Sequence, residues 1–348
     1  MTAVSPVPLD QLLASPDHHG HAIDGSDMLF ARMSRTHYAE SIFLDQRIVR
    51  AAQDNVRVPL SALGQMASAS PLPATWIFHM AHCGSTLLAR ALDRPDGPLV
   101  LREPVPLRQI AAALAQRPAD PRPLAALYRI AAALASRRYR PDWPTIIKAN
   151  VPVNFAIDPL LDSAGSQAVF LYFPLEPYLA AVLRSDGHRQ WVGRITEELK
   201  PAIEASAGPL GGLDPVGRAA ILWLAQTRRF IAAMDRYPAS WSLDAGSLTA
   251  QPGATLDALA DRLGLDWMAG QGRAIAEGPL FSTYSKKDGV RFDDAMRRAR
   301  EAAVLDQLGD AIPRARALIA ERTAGNPLPD AMPRPVHGGA APLMARGR

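Results

Sequence analysis

The sequence predicts an α/β fold in three layers, with a mainly parallel sheet flanked by helices. Two observations carry this. From about residue 75 short apolar runs alternate with helical patterns, the order that builds parallel strands joined by crossover helices. The first apolar run also breaks into a small-residue turn that opens directly into a helix. The elements follow in order. "TWIFHM" reads as a buried strand, "STLLARALD" as a helix and "GPLVLREP" as a second strand. "VPLRQIAAALAQ" and "PLAALYRIAAALASRRY" are helices, "WPTIIKAN" and "QAVFLYF" strands, and "LEPYLAAVLRS" a helix. A helical insertion covers about 188–236 and is interrupted near "AGPLGGLDP"; "ASWSLD" is a further strand and "TLDALADRLGL" a helix.

Three stretches make up the chain: an extension over 1–70 packed on the core, the α/β domain over 71–322, and a tail over 323–348. "HYAESIFLDQRIV" in the extension has near-helical apolar spacing and no sign of chemistry. "HHGH" contains His18, His19 and His21 without the carboxylate or cysteine partners that complete a metal site, so it reads as a solvated turn and no metal is expected. "DDAMRRAREAA" reads as a solvated helix face. In the tail proline and glycine rise and periodicity vanishes, which predicts a flexible segment.

Bulk properties exclude several classes. At 48% hydrophobic residues the 348-residue chain can bury a sizeable core. A net charge of +4, evenly mixed, argues against nucleic acid and membrane surfaces as partners. No apolar run reaches the ~18 residues of a membrane span, and the N-terminus has no basic region followed by an apolar one, so no secretory signal is expected. Cys83 is the single cysteine and cannot form an intrachain disulfide, which fits a cytoplasmic location.

The chemistry begins at the turn. Cys83, Gly84, Ser85, Thr86 and Leu87 follow the first strand and open a helix. A helix N-terminus carries unpaired N–H groups and a positive partial charge. Glycine lets this backbone approach an anion, and the hydroxyls of Ser85 and Thr86 add donors, so the turn suits a phosphate or sulfate. The nucleotide-triphosphate pattern GxxxxGK[ST] fits poorly. With Gly84 in register, His79 takes the first glycine position and Ser85 the lysine position.

His82-Cys83-Gly84-Ser85-Thr86-Leu87 resembles instead the 5′-phosphosulfate loop of sulfotransferases, a P-loop-type fold family, with histidine as the basic residue. The resemblance covers roughly residues 75–265. "LARALDRPDGPLVLREP" is similar to the segment after that loop in tyrosylprotein-type members, where a second strand ends in a glutamate acting as base; Glu103 stands there. "TIIKANVPVN" is similar to a strand ending in lysine, which places Lys148. "SWSLDAGSLTAQPGATLDALADRLGL" resembles the family's strand, acidic residue, loop, proline and helix ending in Leu-Gly-Leu, with Asp244 as the acidic residue.

The resemblance implies 3′-phosphoadenosine 5′-phosphosulfate as donor and a hydroxyl or amine acceptor. Cys83 to Leu87 would cradle the phosphosulfate, Glu103 would take the acceptor proton, and Lys148 and His82 would stabilise transferring charge. The chain departs from the family where the 3′-phosphate is held. Pro174 stands in place of an arginine, and Ala181 or Val182 in place of a serine. Arg184, His188 or Arg189 are the compensating candidates, with Lys286 and Lys287 of "TYSKKDGVRFD" in a late basic loop. Asp244 is a candidate to orient Lys148 or a loop backbone. Two alternatives remain open at this point: a kinase or hydrolase using ATP and magnesium, and a nucleotide-binding relative without activity. The acceptor and the oligomeric state are not legible.

Overall fold

The computed structural model describes residues 8–51, 55–64, 71–283, 293–339 and 341–345. The chain opens with α1 (Leu9–Ala14), β1 (His18–Asp24), β2 (Asp27–Arg32), α2 (Arg35–Glu40) and β3 (Val56–Pro59). The α/β domain follows with β4 (Thr75–His79), α3 (Ser85–Leu92), β5 (Val100–Arg102), α4 (Val105–Ala115), α5 (Arg122–Ala135) and β6 (Ile146–Lys148). Next come α6 (Asp158–Leu161), β7 (Gln167–Tyr172), α7 (Leu175–Leu183), α8 (Asp186–Glu198), α9 (Lys200–Ala207), α10 (Pro215–Arg236) and β8 (Ser240–Asp244). The last helices are α11 (Ala245–Ala250), α12 (Pro252–Leu263), α13 (Gly272–Glu277), α14 (Asp294–Leu308) and α15 (Ala311–Thr323).

The five strands expected from sequence form one parallel sheet in the order β5-β6-β4-β7-β8. Their apolar runs are buried on both faces, as parallel strands require. Trp76, Phe78, Phe170 and Phe230 form an aromatic column that ties the sheet to α10, with successive ring centroids 6.1, 5.3 and 4.9 Å apart. From β4 the chain goes to the edge at β5, returns to β6 beside β4, and then crosses to β7 and β8 on the other side. Such a switch point opens a crevice beyond the carboxyl end of the central strand, and the small-residue turn stands there. No helix among the described residues is long and apolar enough to cross a membrane.

Three expectations are corrected. The HHGH stretch is a strand, not a solvated turn. It pairs with β2, which pairs in turn with β3, in a small antiparallel sheet, and His19 and His21 are buried. Packing against α4 and α5 supplies the burial, and Arg137 donates to the carbonyls of Leu12, Ser15 and His18 at 2.9, 2.7 and 2.6 Å. The helix read over His37–Val49 ends at Glu40. The tail, as far as it is described, is docked rather than free. Met332, Val336 and Leu343 are buried, and the tail bonds along the exposed edge of β8 through Ser242 N–H to Arg334 O (2.9 Å) and Val336 N–H to Ser242 O (2.8 Å). A sheet edge needs such a cover, and edge pairing leaves no periodicity to read.

Candidate active site

The turn after β4 opens directly into α3 through a glycine. Gly84 sits at φ +83°, left-handed, and an added Cβ would meet nothing nearer than Leu248 Cδ2 at 4.0 Å. The backbone angle, not lack of space, therefore requires glycine. Among the described residues no side chain caps the N-terminus of α3. Ser85 and Thr86 are buried, and the Thr86 hydroxyl finds no hydrogen-bond partner among the described residues. A buried hydroxyl without a partner costs free energy unless a ligand supplies one. Cys83 donates its thiol to Met80 O at 2.8 Å, which makes it a packed part of the turn.

His82 to Leu87 form one wall of a cavity holding about 1110 Å³ of empty space, its open mouth included. Pro177, Ala180 and Ala181 of α7 and its C-cap residue Arg184 line the same cavity, and their helical spacing puts them on one face. Arg184 therefore lies one turn beyond the position where the resemblance puts a serine. Phe281, Arg297 and Arg300 complete the site from later in the chain. Most of α14 is solvated, as expected, but one side turns to the cavity: Arg297 is half-buried there, clamped by Asp294 at 2.9 Å and Glu301 at 2.8 Å. Burial pushes the Glu301 carboxyl above its ordinary range. Nothing in the local sequence marks this face, because what it covers lies elsewhere in the chain.

Arg189 stands apart from this group. Its side chain is exposed, pairs with Asp186 at 3.1 Å and is not part of the cavity wall among the described residues. The turn between α7 and α8 sends it outward. Lys286 and Lys287 lie outside the described residues. Asp244 accepts from the amides of Gly246 (3.1 Å) and Ser247 (3.2 Å) and caps α11, so of its two expected roles it takes the backbone one.

On the other side of the turn, the tips of β5 and β6 meet. The Glu103 amide donates to Lys148 O at 2.8 Å, and the Lys148 ammonium binds the Glu103 carboxylate. Asn150 Nδ2 donates to Glu103 Oε2 at 2.9 Å, and His79 Nε2 stands 3.8 Å from Oε1. Lys148 is fully buried, so the carboxylate is what makes an ammonium tolerable there. Burial, and then the Lys148 charge, lower the His79 pKa to about 4, so the ring is neutral at physiological pH. The Phe43 ring centroid lies 5.2 Å from Lys148 Nζ and 4.3 Å from the Arg47 guanidinium carbon. The extension therefore borders the rim, although its sequence shows no sign of chemistry. Both His82 and Glu103 have φ of +62°, uncommon for side chains of this size and a sign of positions held by their surroundings.

No protein-family model and no curated protein matches the chain. Among solved structures it is similar to the sulfotransferase domain from the curacin biosynthetic pathway. The two are 13% identical over 69% of this chain and 98% of that one, with a TM-score of 0.41. So distant a likeness leaves the chemistry to be argued from the residues themselves.

Proposed function

We propose that the chain is a sulfotransferase-like enzyme that moves a sulfuryl group from 3′-phosphoadenosine 5′-phosphosulfate to a hydroxyl or amine acceptor. One observation carries the reading: a glycine turn with a buried hydroxyl that has no partner among the described residues opens into a cavity, and the paired Glu103 and Lys148 stand at the neighbouring strand tips. The family resemblance of the sequence points the same way.

In this reading the amides of Gly84 to Leu87 and the hydroxyls of Ser85 and Thr86 hold the 5′-phosphosulfate. Arg184, on the same cavity, meets the second phosphate. The acceptor approaches from the Glu103 side. Its oxygen or nitrogen attacks sulfur in line, the bond from sulfur to the bridging oxygen breaks, and 3′-phosphoadenosine 5′-phosphate leaves. Glu103 takes the acceptor proton. Lys148 and His82 offset charge on the sulfuryl and bridging oxygens. Positioning and electrostatics supply most of the acceleration, as in phosphoryl transfer.

Calorimetric titration tests the donor class. 3′-Phosphoadenosine 5′-phosphate should bind more tightly than ADP or ATP, and Glu103→Gln should leave this affinity unchanged while abolishing transfer. A preference for ATP, strengthened by magnesium, would instead favour a kinase or hydrolase.

A further inference from the structure

His188 is not part of the cavity wall among the described residues, yet it touches two residues that are. Arg184 Nε donates to His188 Nε2 at 2.9 Å. A guanidinium is only ever a donor, so Nε2 carries a lone pair and the ring keeps its proton on Nδ1. That nitrogen lies 2.6 Å from Ser185 Oγ, which accepts it. Ser185 is the N-cap residue of α8, but its hydroxyl makes no cap bond; it serves His188 instead. The imidazole also packs against His82, with ring centroids 4.5 Å apart, while Trp191 meets His82 edge-on at 5.5 Å.

The chemistry of the acceptor matters. A carboxylate in place of His188 would orient Arg184 but neutralise it. A neutral imidazole orients the guanidinium and leaves its full charge for a ligand. Arg297 on the same cavity shows the contrast, since two carboxylates already compensate it.

We propose that His188 is a positioning residue that holds Arg184 ready for the second phosphate of a nucleoside 3′,5′-bisphosphate and steadies the ring of His82. The proposal rests on reading the cavity as the donor site. It predicts that the preference for a 3′-phosphorylated nucleotide depends on a neutral hydrogen-bond acceptor at position 188.

The experiment titrates adenosine 5′-phosphate and 3′-phosphoadenosine 5′-phosphate into the wild type, His188→Leu, His188→Gln and His188→Glu. The wild type should prefer the bisphosphate. His188→Leu should lose about tenfold of that preference, the worth of one charge-assisted contact, with adenosine 5′-phosphate affinity unchanged. His188→Gln should restore the preference, because its carbonyl oxygen accepts from Arg184, and His188→Glu should not, because it neutralises the guanidinium. An intact preference in His188→Leu overturns the proposal. Equal loss of both nucleotides in His188→Leu and His188→Gln marks a purely structural role and overturns it too. A wild type without any preference removes the role given to Arg184 itself, a separate failure.

Discussion

The two sides of the turn after β4 are built on opposite principles. On the rim side the opposite charges are compensated in advance: Lys148 and Asn150 both bind Glu103. On the cavity side groups are left waiting: the Thr86 hydroxyl is buried without a partner among the described residues, and Arg184 is steadied by an imidazole lone pair. A site that must hold a proton acceptor in a buried place needs compensation in advance. One that must receive an anion needs its donors uncompensated. The difference separates groups that carry stability from groups that carry binding.

The largest expected effect pulls the two sides apart. Glu103→Ala strands a buried ammonium and should cost about 3–5 kcal/mol in urea denaturation, as breaking one half of a buried pair does. Thr86→Val removes a hydroxyl with no partner, so stability should hold or rise, while affinity for 3′-phosphoadenosine 5′-phosphate falls about tenfold. If Glu103→Ala is as stable as the wild type, the rim is not a compensated pair.

Acid should act on the rim next. His79 falls to about 4 through burial and then Lys148, and His19 to about 3 through burial. Both rings are neutral in the fold, whereas in the unfolded chain they take up protons near pH 6.5. Their contribution is complete above pH 6.5 and is lost as pH falls toward 4 and below. The urea midpoint should therefore drop on acidification, less steeply in His79→Gln, and as steeply as in the wild type in Thr86→Val. The smallest effect lies on the cavity side. Asp244→Ala uncaps α11, whose Ala245 and Thr249 face the cavity, and should cost about 1 kcal/mol by thermal denaturation.

The parallel sheet was legible because each buried strand is a continuous apolar run, and that signal is local. The places of Glu103, Lys148 and the Cys83–Thr86 turn at the ends of strands were legible for a related reason, since each follows directly on an apolar run. What escaped depends on contacts between distant segments. His19 and His21 are polar in sequence and buried only because α4 and α5 cover β1. Arg297 faces the cavity only because α14 packs against α7. Phe43 reaches Lys148 from irregular chain just after α2. Arg184 had a readable signal, the helical spacing from Pro177 through Ala181, whereas Arg189 lies past the turn that redirects the next helix outward.

The left-handed backbone at His82 and Glu103 has a practical corollary. Glycine or asparagine adopts that conformation more readily than either residue. A directed-evolution campaign rewarding heat resistance alone will draw substitutions at His82 and Glu103. Thermostable progeny should be sequenced at both positions before their loss of turnover is blamed on rigidity.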